Sequence, residues 1–422
     1  MKNERINVSR REFLIHTGLA GAGFALGMKL PLGNAAIAAE ASAETASSEI
    51  NAWVVIAPDD TVTIRIARSE MGQGTLTGLA QLVAEELECD WSKVTTEYAS
   101  PAQNLARDKV WGSFQTGGSR GIRTSHDYVR KGGAVAREML IQAAANDWGV
   151  PADQCSAKKS VVSHAPSGRS TTYGKVATAA AKLEPPFDVF LKDPDDWTIA
   201  GKPLARLDTR DKVTGEQVYG ADLALPGMLN AAIRACPVFG GTVESFDASA
   251  ISKRPGVRKV VQVGDDAVAV VADTWWHAKS ALDALPVKWN EGPNAKLSSA
   301  AITKMLDDGL VSNDNVFTGN QAGDAASAIK GAAKTVEATY SYPYQAHACM
   351  EPMNATARWT SERCEVWCPT QNGESALQDT AKAAGLPAEQ CEVYKLHLGG
   401  GFGRRAIHDY ITQAVTIAKA LP

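Results

Sequence analysis

The chain has 422 residues, of which 45% are hydrophobic and 21% are charged. This composition is typical of a folded globular protein with two or three domains, and it excludes a largely disordered chain. The formal net charge of -4 gives no basic field that would attract nucleic acid or an acidic membrane surface. Neither is expected as a partner.

The N-terminus is typical of an export signal. Arg10 and Arg11 precede an apolar, glycine-rich run over Leu19–Leu32, and small residues follow. This pattern predicts a twin-arginine signal peptide over residues 1–38 and a periplasmic protein. A membrane anchor is the alternative, but glycines and a proline interrupt the run, which is shorter than the roughly 20 residues of a span. No span is therefore expected in the mature chain. Because the twin-arginine route carries folded proteins, it favours a cofactor inserted before export.

The seven cysteines are scattered and form no CxxC pair. They are expected to act mostly as buried small hydrophobic residues. Cys364 and Cys368 are close, but neither histidine nor further cysteine lies near them, so a metal site is disfavoured. No four-cysteine iron-sulfur pattern is present in the sequence.

The folded part begins after a small, polar linker at residues 39–49. Residues 53–56 and 61–66 alternate around an aspartate turn and predict a hairpin, and Gly74–Leu87 has helical spacing. The segment Gly149–Cys155 recurs as Gly385–Cys391, each between an alanine-rich helix and a strand, and Glu85–Val94 is a looser third copy. These echoes predict repeated helix-strand modules, although a common connector is the alternative.

The middle of the chain, residues 204–292, predicts a separate small module of strands and one helix. Its predicted strands and helix are Val213–Leu223, Met228–Ile233, Val257–Val263, Ala267–Ala272, the helix Trp275–Ala284 and Val287–Trp289. Residues 185–203 and 292–331, which are rich in turn-forming residues, are the predicted connectors.

Three glycine loops next to predicted helices are the candidates for binding chemistry: Ser69–Thr75, Gly117–Gly121 and Leu398–Arg405. Glycine lets backbone amides approach an anion closely, and Arg404 and Arg405 with the following helix would add positive potential. A phosphate or pyrophosphate ligand is one interpretation, and a tight structural turn is the other. The dinucleotide fingerprint is incomplete and the P-loop lysine is missing, so a nicotinamide dehydrogenase is disfavoured.

His347 and Glu351 offer an imidazole and a carboxylate four residues apart. Pro352 makes a helical metal or acid-base pair improbable, so structural hydrogen bonding is the favoured interpretation.

Four segments together resemble the molybdopterin-binding subunits of the xanthine dehydrogenase and aldehyde oxidase superfamily, and are similar to its exported isoquinoline 1-oxidoreductase beta-subunit group, which includes proteins named aldehyde dehydrogenases. The segments are Glu70–Gly74, Met350–Ala355, Thr370–Asn372 and Gly399–Arg405. The resemblance implies an α+β fold: a molybdopterin-binding domain in permuted order, formed by residues 50–185 and 332–422, with an α/β-hammerhead module inserted at 204–292.

The resemblance also implies site residues. Gln371 would lie beside the molybdenum, and Gly400, Gly401, Phe402 and Gly403 would lie at the metal and its pterin. Pterin or phosphates would be held by Met71, Gly72, Gln73, Gly74, Gly118 and Ser119. His347 and Glu351 would have structural or supporting roles. The metal would be held through molybdopterin, in its cytosine dinucleotide form, and not by protein ligands.

The implied activity is oxidative hydroxylation of an N-heteroaromatic compound or an aldehyde, with water as the oxygen source. Electrons would leave through iron-sulfur clusters on a separate small subunit, with cytochrome c as a candidate acceptor. The family's catalytic glutamate lies in a later motif than this chain contains, so no base is assigned and the chain alone is expected to be inactive. Many relatives have Gly-Lys-Glu where this chain has Arg404–Ala406, so the resemblance implies that the carboxylate which helps purine-type enzymes hold substrate is missing, and a purine substrate is disfavoured. A non-catalytic binding or assembly module is the alternative.

Overall fold

The computed structural model describes residues 46–314 and 316–421. The predicted signal peptide and most of the predicted linker lie outside the described residues. Two compact units divide the chain. The first contains the described residues up to Ala224 together with Cys349–Lys419, and the second contains Leu225–Ala348 and the last residues. Both units combine helices with sheets, which confirms the predicted α+β class.

The regular elements are numbered in chain order. The helices are α1 (Thr75–Leu87), α2 (Pro101–Ala106), α3 (His126–Trp148), α4 (Tyr173–Ala180), α5 (Thr209–Thr214), α6 (Trp275–Asp283), α7 (Ser299–Val311), α8 (Ala325–Lys330), α9 (Gly373–Ala384) and α10 (Asp409–Lys419). The strands are β1 (Ser48–Asn51), β2 (Val54–Ile56), β3 (Val62–Ile66), β4 (Val94–Tyr98), β5 (Cys155–Lys158), β6 (Val161–His164), β7 (Arg169–Thr172), β8 (Asn230–Ala235), β9 (Thr242–Phe246), β10 (Val257–Val263), β11 (Ala267–Ala272), β12 (Val287–Asn290), β13 (Thr356–Trp359), β14 (Cys364–Cys368) and β15 (Cys391–Lys395).

The first unit opens with a four-stranded sheet in chain order, β1 to β4. The predicted hairpin is β2 and β3, which pair antiparallel. Val62, Ile64 and Ile66 are fully buried because alternate side chains of a strand point to the same face. Since β4 pairs parallel with β3, a crossover is needed, and α1 lies within it.

The helix-strand repeats of the sequence share a local helix-to-strand connection, but β4 and β15 pair parallel with the preceding strand whereas β5 pairs antiparallel with β6. Helix α1 leads to β4, α3 to β5 and α9 to β15, each time through a single turn of 3-10 helix. Gly149 and Gly385 end their helices with φ of 67° and 72°, the left-handed region in which glycine is least strained. Pro151 and Pro387 then start the turn.

Two glycines in the first part of α3 allow close packing, Gly133 against α1 and Gly132 against Trp53. A β-carbon on Gly133 would lie 2.3 Å from the carbonyl oxygen of Val83, and one on Gly132 would lie 2.6 Å from the ring of Trp53. Only residues without a side chain fit here, which explains a glycine pair inside a helix despite its cost in conformational entropy.

The predicted connector at residues 185–203 is held against α1 by a buried glutamate. One carboxylate oxygen of Glu85 accepts the backbone N–H groups of Thr198, Ile199 and Ala200 at 2.9, 2.5 and 2.9 Å, and the other accepts Lys192 Nζ. Burial would raise the pKa of Glu85, but these hydrogen bonds outweigh it and lower the pKa.

The strand predicted over Val213–Leu223 is wrong. The segment contains the end of α5 and a 3-10 turn at Gly220–Asp222, and residues 204–224 lie in the first unit and not with the small module. The physical reason is local: Lys212 pairs with Asp208 one turn earlier, and Gly215, with φ of 79°, ends the helix.

The second unit has the remaining strands and the helix predicted for the small module. Its central sheet has the order β10-β11-β8, and α6 packs on it through Ala278, Ala281 and Leu282. A second pair joins β12 to β9, a strand that the sequence pattern did not show because most of its residues are only partly buried. The predicted connector 292–331 contains α7 and α8. Among the residues that the structure describes, no helix combines the length and apolar character needed to cross a membrane.

Candidate cofactor site

Four loops of the first unit meet at one place. Ser69 Oγ donates to the carbonyl oxygen of Thr370 at 2.7 Å, and Thr116 N donates to the carbonyl oxygen of Gln371 at 2.7 Å. Leu398 N donates to the carbonyl oxygen of Glu70 at 3.0 Å. The loops are named here the first glycine loop (69–74), the second glycine loop (117–121), the glutamine loop (370–372) and the third glycine loop (399–405).

Gln371 lies at the centre of this arrangement. Its side chain is 3% exposed. Its carboxamide oxygen accepts Gly403 N at 3.0 Å, and its carboxamide nitrogen donates to the carbonyl oxygen of Thr116 at 2.9 Å. One side chain thus fixes the third glycine loop on one side and the residue before the second glycine loop on the other.

The third glycine loop fits so tightly that a larger residue is excluded at its centre. A β-carbon on Gly401 would lie 2.5 Å from Met71 Sδ and 2.8 Å from the Gln371 carboxamide oxygen. Gly400 and Gly403 have φ of 101° and 85°. Phe402 adopts φ of 55° and is 68% exposed, so its backbone is held in the left-handed region with the ring in solvent.

Glu351 holds both ends of the third glycine loop by hydrogen bonds. Its carboxylate accepts Gly399 N and Gly220 N at 2.9 Å each, Asn354 Nδ2 at 3.0 Å and Arg405 Nη2 at 2.9 Å. Residues 347–355 form no helix, and His347 is exposed in the second unit. Glu351 is therefore a buried hydrogen-bonding residue, the role that Pro352 favours.

The prediction that Arg404 and Arg405 add positive potential to the loop is wrong. Arg405 is fully buried and is bound by Glu351 and by the carbonyl oxygen of Gly400. Arg404 forms two hydrogen bonds to Asp409, at 2.9 and 2.8 Å. Both guanidinium groups are neutralised by carboxylates, because the chain folds back onto itself after the loop.

The first glycine loop already contains its own anion. The carboxylate of Glu70, 1% exposed, accepts the N–H groups of Gly72, Gly74 and Leu76 at 2.8 to 3.0 Å. The carboxamide of Gln73 bonds to Met71 N and to the carbonyl oxygen of Ser69. The amides of Gly72 and Gly74 and the side chain of Gln73 are thus engaged within the loop, which leaves Met71 and the open space at Gly72 to face a ligand.

Two charged residues of this site were missed by sequence reasoning. Arg206 donates to Glu70 Oε1 at 3.0 Å and to the carbonyl oxygen of Gly72 at 2.9 Å, and Asp208 holds Arg206 by two further hydrogen bonds. Burial would raise the pKa of Asp208, but bonds from Arg206 and Lys212 lower it well below its usual range. Nothing in the sequence links Arg206, which was predicted to lie in the small module, to a loop 136 residues earlier.

Unpaired backbone donors remain on two loops. The N–H groups of Gly117, Gly118 and Ser119, and those of Gly400, Gly401 and Phe402, have no hydrogen-bond partner among the described residues. Gly118 and Ser119 have φ of 58° and 54°, and successive residues of this kind form anion-binding concavities. A β-carbon at Gly117 or Gly403 would meet nothing within 4 Å, so the backbone there borders open space.

Cys349 lies against the third glycine loop, with its Sγ 3.6 Å from the carbonyl oxygen of Gly401. Cys364 and Cys368 lie on β14, where burial raises the pKa of both thiols to about 12. Over residues 46–314 and 316–421, no group of three His, Cys, Asp or Glu side chains could hold a metal ion.

The glycine loops around Gln371 present unpaired backbone donors that suit a ligand rich in hydrogen-bond acceptors. The molybdopterin cofactor-binding domain family matches the chain twice, over residues 5–217 and 310–421. The beta subunit of isoquinoline 1-oxidoreductase from Brevundimonas diminuta is 29% identical, over 99% of this chain and 58% of that protein. A membrane-bound aldehyde dehydrogenase (pyrroloquinoline-quinone) from Gluconacetobacter polyoxogenes is 31% identical, over 100% of this chain and 55% of that protein.

The chain belongs to the molybdopterin-binding subunits of the xanthine oxidase family. This confirms the resemblance drawn from four short segments of the sequence. The chain spans little more than half the length of the two relatives described above. Among solved structures, quinoline 2-oxidoreductase from Pseudomonas putida 86 aligns with 52% of this chain and 33% of its own, at 22% identity and a TM-score of 0.41.

Proposed function

We propose that the chain forms the molybdopterin-binding part of a molybdenum hydroxylase large subunit. The observation that carries the proposal is the two sets of unpaired amide groups, at 117–119 and 400–402, held on either side of Gln371. Pterin rings and phosphates are rich in hydrogen-bond acceptors, and backbone N–H groups in tight glycine loops are donors that suit them.

The chain's own residues would position this cofactor through uncharged groups. Gly400, Gly401 and Phe402 would donate from one side, Gly118 and Ser119 from the other, and Met71 would border it through its thioether. Gln371, with both ends of its carboxamide already bonded, would hold the loops at fixed separation. When bound, the cofactor supplies two-electron oxidation chemistry in which water provides the oxygen.

The complete enzyme is proposed to hydroxylate an N-heteroaromatic compound or an aldehyde. Two relatives are named as subunits of larger enzymes. We therefore propose that this chain also assembles with other chains. We propose a small iron-sulfur subunit that accepts the electrons, cytochrome c as a further acceptor, the cytosine dinucleotide form of the cofactor, and a periplasmic location reached by the twin-arginine route.

The test is cofactor analysis of the protein purified from its natural source together with its bound partners. Molybdenum is measured by mass spectrometry of the metal, the pterin by fluorescence after oxidative release, and the nucleotide by release of cytidine monophosphate in acid. About one molybdenum and one pterin per chain are expected. An intact complex that holds neither would contradict the proposal. Substrate class is then decided by dye reduction with quinoline-type heterocycles against aliphatic and aromatic aldehydes.

A further inference from the structure

The connector after α4 carries two fully exposed phenylalanines. Phe187 is 97% exposed and Phe190 is 94% exposed. They lie in residues 184–190, named here the Phe187 segment, and none of the loops of the candidate cofactor site includes these residues. Large apolar side chains that lie together on a surface are typical of sites that bind another molecule. The cofactor site therefore does not account for the exposure of these two rings.

The Phe187 segment is fixed at its C-terminal end. Arg137 Nη2 donates to the carbonyl oxygen of Phe190 at 3.3 Å. Before this contact, residues 184–189 form no hydrogen bond or ion pair with any residue that the structure describes. Pro185 and Pro186 restrict the backbone of this unbonded part. The segment thus has free polar groups but limited freedom, so less conformational entropy is lost when a partner binds it.

The segment borders an open and mostly apolar cavity of about 380 Å³. The apolar residues that line the cavity are Met139, Ala152, Leu183, Pro186, Val189 and Phe190. A cavity of this size can receive an apolar side chain from a partner, as the pockets at the centre of protein interfaces do. The exposed rings and the cavity therefore form one continuous apolar surface.

The charge around this cavity is negative. Three carboxylates line it, those of Glu138, Glu184 and Asp188. Arg137 pairs with the first at 3.2 Å, whereas the other two have no ion-pair partner within the described part of the chain. Residues 184–196 contain five acidic residues and one basic residue, Lys192, which is already bound by two other carboxylates. An approaching molecule therefore meets an apolar surface with uncompensated negative charge at its edge.

We propose that the Phe187 segment and its cavity, together named the Phe187 surface, bind a segment of a different protein chain in which basic residues lie next to apolar ones. The rings and the cavity would contact the apolar side chains, and Glu184 and Asp188 would pair with lysine or arginine at the edge. A second copy of this chain is disfavoured, because a symmetric contact places the same negative surfaces opposite each other. An anionic membrane surface is repelled for the same reason.

The first test identifies the partner by photo-cross-linking of the full chain in its natural source. The photoreactive residue p-benzoylphenylalanine replaces Phe187, or, in a control protein, Phe317, an exposed phenylalanine of the second unit. Mass spectrometry should show a cross-linked segment of another chain in which basic residues outnumber acidic ones, from the first protein and not from the control. A segment without this excess, a second copy of this chain, a phospholipid or no cross-link would overturn the proposal.

The second test measures, by calorimetry, how the full chain binds the cross-linked segment made as a synthetic peptide. Phe190→Ser should weaken binding by about 10-fold or more, because aromatic residues at the centre of an interface contribute a large share of the affinity. Phe317→Ser is the matched control and should change binding by less than about twofold. Both side chains are exposed, so unchanged melting temperatures are expected and show that folding is intact. Equal effects of the two variants would count against the Phe187 surface.

The charges are tested with the same peptide. A double variant with Glu184→Gln and Asp188→Asn should weaken binding by about threefold or more and remove most of its dependence on salt. Asp307→Asn, at an exposed carboxylate of the second unit, is the control and should leave both unchanged. Binding that keeps its full salt dependence in the double variant would contradict the pairing with basic residues. Neither test depends on molybdenum or pterin content, so the outcome is independent of the proposed function.

Discussion

Glu70 and Glu351 perform the same physical role at two different glycine loops. Each is buried, accepts backbone N–H groups from its loop, and is paired with an arginine, Arg206 or Arg405. The carboxylate occupies the place that an external anion would take. The loop is thereby shaped before a ligand binds, so less conformational entropy is lost on binding.

Replacing Glu351 should therefore be costly. In Glu351→Gln, Arg405 loses the charge that compensates it in a fully buried position, and removal of one partner from a buried ion pair costs about 3–5 kcal/mol. We expect a loss of this order in the free energy of unfolding, measured by urea denaturation. Glu362→Gln, on the exposed turn between β13 and β14, is the control and should change it by less than about 0.5 kcal/mol. Similar values for the two variants would refute this role.

Lys395 makes stability depend on pH. Burial, together with the nearby charge of Arg68, lowers its pKa from 10.5 to about 7. Between these values the unfolded chain holds a proton that the folded chain lacks, so stability rises as pH rises. Below about pH 7 both states are protonated, and the penalty of burying the charge is complete.

The stability of the wild-type chain relative to Lys395→Met should accordingly increase between about pH 7 and pH 10.5, by up to about 1.4 kcal/mol per pH unit. Urea denaturation of both proteins across this range measures the difference. A difference that stays constant with pH would show that Lys395 titrates normally.

At the scale of elements, helices α1 and α3 approach each other most tightly at Gly133. An alanine there would place a carbon 2.3 Å from the backbone oxygen of Val83, which cannot move without shifting α1. We expect Gly133→Ala to destabilise the protein by about 1–3 kcal/mol or more, despite the better helix propensity of alanine. Thermal unfolding measures this.

Gly78→Ala is the matched control, since it lies inside α1 but its β-carbon would meet only the flexible tip of Ile122, at 3.1 Å. This variant should be near neutral or slightly stabilised. A Gly78→Ala variant as unstable as Gly133→Ala would indicate that both glycines matter for flexibility and not for close packing.

The elements that sequence reasoning predicted well are those with local signals. Gly149 and Gly385 with their following prolines mark helix ends, and the alternation at residues 61–66 marks a strand. The strand prediction failed because a local ion pair and a helix-ending glycine override the β propensity of the residues. The segment Val213–Leu223 has β-forming residues, yet Asp208 and its partners hold its first part in a helix of the first unit.

The limit is different at the candidate site, where distant contacts decide. The four loops could be identified from their glycines and from Gln371, because these motifs are continuous in sequence. The hydrogen-bond partners of these loops could not be predicted from the sequence, because the partners are distant in sequence and come close only in the folded chain. The sequence predicts that Arg404 and Arg405 bind an anion, whereas in the structure Arg404 binds Asp409 and Arg405 binds Glu351.

At the scale of the whole molecule, two distant stretches of the described chain form the first unit, while the second unit is almost entirely one continuous stretch. Residues 316–324 and 331–348 have no regular structure and are mostly exposed, with Phe317 88% and Tyr340 78% accessible. A protease that cuts after aromatic residues should attack here first, because exposed irregular backbone enters a protease active site without unfolding a core.

Brief chymotrypsin treatment should therefore give two main fragments on a denaturing gel. The nicked protein should still elute as one species in native gel filtration, because the bonds from Ser69 and Thr116 to the glutamine loop join the fragments across the cut. Separation of the fragments under native conditions would show that these contacts do not hold the first unit together.

The division of the first unit between distant stretches of chain also affects the order of events on the ribosome. Residues 225–348 need only their own neighbours and can fold while synthesis continues. The loops at Ser69 and Gly117 must wait until Gln371 and Gly401 have left the exit tunnel, so the site stays unfinished until both later loops have emerged. We expect that a ligand can be loaded only after that point, and that factors which shield the early hydrophobic segments during the interval raise the yield of loaded protein.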